Sequence, residues 1–120
     1  MKTYSEIIYG KVPSKSNSYK IINLGGHASL CKSKQLVEYE RNFYLQCKSR
    51  DVNLNKSFKL SVDVYYNTNR PDLDNALKVI LDCLQSCKTI TNDRNCVNIS
   101  ARKFLDKNNP RIELSLEEII

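Results

Sequence analysis

The sequence predicts an α+β fold, a mixed β-sheet with two main helices packed on it, in the order β-(ββ)-α-β-α-β-β. Three observations carry this reading. Phe58, Leu60, Val62, Val64 and Tyr66 alternate with Lys59, Ser61, Asp63 and Tyr65, and a period of two sends one set of side chains to one sheet face. Apolar residues recur at helical spacing from about Ser33 to Lys48, and again from Leu73 to Leu84. Gly25-Gly26 separates two short apolar runs, as in a tight hairpin.

Taken in order, Thr3 to Tyr9 reads as a first strand of mixed pattern, followed by a polar loop over Pro13 to Tyr19. Ile21-Ile22-Asn23-Leu24 and His27-Ala28-Ser29-Leu30-Cys31 then form the hairpin. In the first helix Leu36, Tyr39, Phe43 and Cys47 share a stripe flanked by Glu40 and Arg41. The second helix buries Leu73, Ala76, Leu77, Ile80, Leu81 and Leu84, with Asp74, Lys78 and Asp82 on another face. Val97, Ile99 and Ala101, and then Ile112, Leu114 and Leu116, mark two further strands. The turn-rich Asp106-Lys107-Asn108-Asn109-Pro110 between them suggests an antiparallel hairpin.

A chain of 120 residues with 41% hydrophobic content fits a single domain over residues 1–120 with its own core. No apolar run approaches the ~20 residues that a membrane span needs, so no membrane partner is expected. The first residues, Met1 to Glu6, lack an apolar export region. The five cysteines (Cys31, Cys47, Cys83, Cys87, Cys96) follow no framework spacing, which suits reduced thiols and a cytoplasmic location. A net charge of +6 favours a polyanionic partner. The basic residues are dispersed along the chain, so a folded surface has to assemble the patch.

Against that background the stretch Arg70-Pro71-Asp72-Leu73-Asp74-Asn75-Ala76-Leu77-Lys78, with Asp93 further on, stands out as an acidic cluster in a basic protein. Asp72 and Asp74 fit a plain helix start, since aspartate is a favoured N-cap and Asp74 with Lys78 makes an ordinary i, i+4 pair. On a regular helix the two acids would point about 200° apart. With Asp72 at a non-helical N-cap after Pro71, they can converge beside Arg70 and Lys78. Two hard oxygen ligands then suit Mg²⁺, which takes one or two carboxylates, waters and a substrate phosphate. Lys78 would stabilise charge on the phosphoryl group. This chemistry points to a nuclease.

These residues resemble the RusA-type Holliday junction resolvases, small nucleases of DNA recombination and repair typical of phages and prophages. The resemblance rests on the Arg70-to-Lys78 block, on Asp82 later in the helix, and on Asn92-Asp93 about one helix downstream. Pro13-Ser14 with Asn17 and Tyr19 is similar to the family's opening loop, and Lys103 matches a lysine common at its place. The resemblance implies a RusA-like fold and a homodimer that binds branched DNA, the four-way junction, and cuts two strands symmetrically with Mg²⁺, with Mn²⁺ as a substitute. It implies Asp72, Asp74 and Asp93 as catalytic metal ligands and Lys78 as the catalytic cation. Lys15, Asn17, Tyr19, Arg70, Arg94 and Lys103 are the expected DNA contacts. Where many members carry two consecutive acids, this chain has Asn92-Asp93, which weakens the case for a second tightly held metal.

Two other readings compete. A non-catalytic nucleic-acid binder of the same fold would use the acids only as caps and Tyr4, Tyr9, Tyr19, Tyr39, Tyr44, Tyr65 and Tyr66 as stacking platforms, although most of these fall on strand or helix positions where core packing is commoner. A zinc module would draw on Cys83, Cys87, Cys96 and His27, but no Cys-x-x-Cys knuckle exists and the first two border the apolar stripe.

Overall fold

The strand read most clearly from the sequence, β4 (Phe58–Tyr66), lies inside the main sheet with a neighbour on each side. Its alternation delivers Phe58, Leu60, Val62, Val64 and Tyr66 to the core, all buried. The computed structural model describes residues 2–119. Before β4 come β1 (Thr3–Tyr9), β2 (Tyr19–Leu24), β3 (His27–Lys32) and α1 (Lys34–Gln46). After it come α2 (Asp74–Ser86), a 3-10 turn at Asp93–Asn95, β5 (Cys96–Leu105) and β6 (Arg111–Glu118). The architecture is α+β in the expected order. The main sheet runs β1-β6-β4-β5, and β2 and β3 form a separate two-stranded ribbon. No helix among the described residues is long and apolar enough to cross a membrane.

The expected hairpin between the last two strands does not form. β5 pairs parallel to β4, while β6 pairs antiparallel to both β4 and β1. Alternation reports which face a side chain takes, not which strand lies alongside, so both pairings satisfy the same pattern. The choice is made by α2, because a parallel pair requires a crossover connection and this helix supplies it. The chain then passes around the end of β4: Asp106 N–H donates to Tyr66 O at 2.7 Å, and Arg111 grips Asp106 at 2.9 Å and Glu113 at 2.7 Å. At the sheet edge β5 keeps Val97 and Ile99 largely exposed, although Ile99 shares the face of Leu60.

Both helices pack their apolar stripes into one core. Ser33 caps α1, its Oγ accepting from Leu36 N–H at 3.1 Å, so the helix is slightly shorter than the range the spacing suggests. Leu36, Tyr39 and Phe43 are buried below it. α2 buries Ala76, Val79, Ile80, Leu81, Cys83 and Leu84, while Leu73 and Leu77 are only half covered. Cys47 and Cys87, which cap the carboxyl ends of the two helices, are both buried, and Cys47 Sγ lies 3.6 Å from Ser49 Oγ and 3.5 Å from Thr89 Oγ1. Cys83 is also a core side chain and all five thiols are free.

Two polar side chains tie β1 to the end of α1: Gln46, which accepts from Tyr9 N–H at 2.7 Å and donates to Tyr9 O at 3.0 Å, and the buried Glu6. Glu6 is 4% exposed, and its carboxylate accepts from Lys48 N–H at 3.0 Å, Ser49 N–H at 2.8 Å and Ser49 Oγ–H at 2.6 Å. An orphaned buried donor costs about 1–3 kcal/mol. Glu6→Ala orphans two backbone N–H groups and should lower unfolding stability by at least about 2 kcal/mol in a urea titration. Glu6→Gln, which keeps one acceptor oxygen, should lose less. Equal stability of wild type and Glu6→Ala would show that water replaces the carboxylate at no cost.

Candidate active site

The acidic motif occupies the carboxyl end of β4, where the chain turns through residues 67–73 into α2. Asp72 is not the N-cap. Leu73 already has helical angles (φ −61, ψ −41), makes no side-chain cap bond, and its carbonyl accepts from Ala76 N–H at 3.1 Å. Entry into the helix at Leu73 leaves Asp72 outside the helical backbone, exposed, with Asp74 exposed at the first helical position. Both carboxylates act on one neighbour, Tyr66. Burial pushes its hydroxyl up to about 12, and the charges of Asp72 and Asp74 add to the shift.

Lys78 makes no ion pair with Asp74. Its Nζ lies 2.5 Å from Asp93 Oδ2 and 3.1 Å from Asp82 Oδ1. Asp82 in turn holds Lys15 at 3.0 Å, and Lys15 donates to the Tyr19 hydroxyl at 2.8 Å. The backbone N–H of Lys15 bonds Asn75 O at 3.1 Å, so the opening loop is docked on the first turn of α2. A chain of alternating charge therefore runs Lys15, Asp82, Lys78, Asp93. Asp93, and then Asp82, hold the Lys78 ammonium above its ordinary range, and Lys78 holds Asp93 below the usual carboxylate range. The hydrogen bond to Tyr19 is the largest cause raising Lys15, ahead of Asp82. These ion pairs leave out Asp72 and Asp74.

A cleft lies between the opening loop and the motif, lined by Lys11, Ser14, Asn17, Arg70, Asp72 and Asn75. Arg94 is exposed on the 3-10 turn beside Asp93. Asn92 caps that turn, its Oδ1 accepting from Arg94 N–H at 2.9 Å. Lys103 comes from β5, in register with Val64, and its Nζ donates to Pro71 O at 2.8 Å and Asn69 O at 3.3 Å. It thus grips the segment that carries Asp72.

Among the described residues no three His, Cys, Asp or Glu side chains converge as a metal-holding group, and Asp93 faces Lys78. The donors nonetheless fit a hard divalent cation in kind. Asp72 and Asp74 are exposed carboxylates outside the ion-pair chain, and one or two such ligands suffice for Mg²⁺ with its waters.

Three features were not assigned from the sequence. Asp82 was visible on the face of Asp74 and Lys78, but its bridge to Lys15 depends on how the opening loop folds back. Tyr66 was legible as a core strand residue or a base-stacking candidate; it and Tyr39 are buried in the core, so neither offers a stacking face, and the closeness of Tyr66 to the two acids was not visible. The grip of Lys103 requires the parallel pairing of β4 and β5, which the pattern did not reveal.

The sequence matches the family Endodeoxyribonuclease RusA over residues 12–117 of its 120. No curated protein matches the chain. The chain belongs to the RusA endodeoxyribonuclease family, and the matched span contains every residue of the site just described except Lys11 at the cleft rim.

The geometry of Lys103 gives a direct expectation. Removing its two carbonyl bonds in Lys103→Met should let the 69–72 segment shift and slow DNA cleavage by roughly ten- to a hundredfold, as small misplacements do. DNA affinity should barely change. A loss confined to affinity, with normal single-turnover rate at saturation, would identify Lys103 as a phosphate contact instead.

Proposed function

We propose that this protein is a Mg²⁺-dependent endonuclease that resolves four-way DNA junctions, acting as a homodimer that makes paired symmetric cuts. The observation that carries the reading is the placement of Asp72 and Asp74. Two exposed carboxylates stand outside every ion pair of the site at the carboxyl end of β4, in a protein of net charge +6. Like charges left together favour a bound cation.

Asp72 and Asp74, joined by Asp93, would hold Mg²⁺, with Mn²⁺ as a substitute. When bound it supplies a polarised phosphoryl oxygen and a water of lowered pKa. Lys78, kept charged by its acidic neighbours, stabilises the extra negative charge that grows on the phosphate during attack. Its bond to Asp93 has to loosen for Asp93 to serve as a ligand. One metal per site is the better fit, because Asn92 carries no charge and its side-chain oxygen is engaged by Arg94 N–H. Arg70 and Asn17, which line the cleft, and Arg94, exposed beside Asp93, would meet phosphates, with Lys15 and Tyr19 ordering the loop and Lys103 the motif. Twofold symmetry of the junction calls for two such sites, one per cut strand.

The decisive experiment incubates the protein with a synthetic four-way junction and with linear duplex of the same sequence, with and without Mg²⁺. Metal-dependent paired nicks in the junction alone are expected. Junction binding without cleavage in any divalent metal would mark a non-catalytic binder, and equal affinity for both DNAs would remove the resolvase reading.

Asp72→Asn and Asp74→Asn should each abolish cutting while junction affinity holds or rises, since repulsion of phosphate falls. A purely structural role at the helix start predicts near-neutral effects, because the helix start has no side-chain cap bond to lose. Lys78→Ala should cut the rate far more than it shifts the melting temperature, an exposed helix pair being worth only about 0.3–0.5 kcal/mol. Normal cleavage by these variants would sink the mechanism.

A further inference from the structure

The ribbon of β2 and β3 pairs only with itself, and all its residues except Ile22 and Cys31 are exposed. Two strands of six residues give an arm about 20 Å long at ~3.4 Å per residue. Gly25 (φ +58) and Gly26 (φ +83) form its tip, where a two-residue turn needs positive φ at both positions. The radius of gyration, 15.0 Å, exceeds the ~13.6 Å expected for a compact chain of this length, consistent with a projecting arm.

The arm is rooted at the site. Ser33 N–H donates to Ser18 O at 2.7 Å across its base, and Tyr19, its first residue, receives Lys15. Lys32, its last, pairs with Glu40 of α1 at 3.0 Å. Its chemistry has two parts. No Asp or Glu occurs from Ile7 through Val37, whereas Lys11, Lys15, Lys20, Lys32 and Lys34 fall in that stretch. Ile21 and Leu30 stand opposite each other on one face of the ribbon, 73% and 72% exposed.

A second copy of the chain is a poor occupant for this surface. A twofold contact would set one acid-free, lysine-bearing arm against another. The few exposed apolar side chains fall far short of the ~800 Å² per partner of a stable interface. DNA meets both parts of the chemistry. The major groove, about 12 Å wide, admits a two-stranded ribbon and presents apolar thymine methyls between rows of phosphates.

Resting on the nuclease reading above, we propose that the β2–β3 ribbon lies in the major groove of a DNA arm flanking the cut site. Ile21 and Leu30 face the base edges and Lys20 faces the phosphates. The contact anchors the substrate, and the site at the ribbon's root does the chemistry.

The test uses the full chain with Ile21→Ser/Leu30→Ser and, separately, Lys20→Gln. Affinity for a junction and for a duplex is read by fluorescence anisotropy without divalent metal, over a salt titration, with molar mass from light scattering. The double variant should bind both DNAs about tenfold more weakly or worse, with unchanged melting temperature and molar mass. Lys20→Gln, which leaves the apolar pair intact and so guards against a folding defect, should reduce the log–log salt slope by about 0.9. Unchanged affinity and slope in both variants would overturn the proposal, as would a fall in molar mass, which would make the ribbon a contact between copies. Wild-type protein that binds DNA yet never cuts it defeats the nuclease reading alone, because affinity still tests the ribbon. Wild-type protein that binds no DNA defeats both.

Discussion

The parallel pairing of β4 with β5 is the constraint on which the site depends. Parallel neighbours cannot be joined by a turn, so the chain has to travel back along the sheet, and α2 makes that journey. The carboxyl end of β4 therefore opens directly into the start of a helix, and Asp72 and Asp74 stand at that junction. The return segment brings the 3-10 turn with Asp93 against α2, where Lys78 and Gln85 reach it; Asp93 N–H donates to Gln85 Oε1 at 3.0 Å. The same pairing puts Lys103 in register with Val64, close enough to grip Pro71. An antiparallel β5–β6 hairpin would have had no reason to gather these groups.

The charges of the site are arranged unevenly. Lys15, Asp82, Lys78 and Asp93 neutralise one another in sequence, but all are partly exposed, and such pairs contribute about 0–1 kcal/mol each. Their effect is on position: they dock the opening loop on α2 and hold the ammonium of Lys78 over the helix face. Asp72 and Asp74 lie outside the chain of ion pairs, and Asp72 lines a cleft that Lys11 and Arg70 also line. Cations beside a carboxylate in one cleft suit the approach of a phosphate.

Much of the fold was legible because each element states its own period. The alternation of Phe58 to Tyr66, the stripes of α1 and α2, and Gly25-Gly26 each produced the predicted element. What a period cannot encode is adjacency. Val97, Ile99 and Ala101 suit either neighbour, and the crossover decided between them. The same limit governs the site. Lys78 and Asp93 could be named from motif residues, but the bond between them, the bridge at Asp82 and the hold of Lys103 on the motif all join parts distant in sequence. Asp72 as an N-cap was read wrongly because the pattern shows that a helix begins, and the single residue at which the backbone turns helical is Leu73.

Stability and chemistry fall in different parts of the chain. Glu6, Cys47 with its Ser49 and Thr89 partners, and the inner face of β4 are buried, and they hold β1, α1 and α2 as one packed unit. The β2–β3 ribbon is mostly exposed, and the motif and the opening loop mix exposed and half-buried residues held by a few polar bonds. Segments with few buried apolar contacts open at low free energy, while the packed unit opens only globally. That division suits an enzyme acting on a large, branched polyanion. The carboxylates follow the end of a strand paired on both sides, and the Lys78–Asp93 pair beside them is partly exposed. The surfaces that have to mould to DNA can move without disturbing the core beneath them.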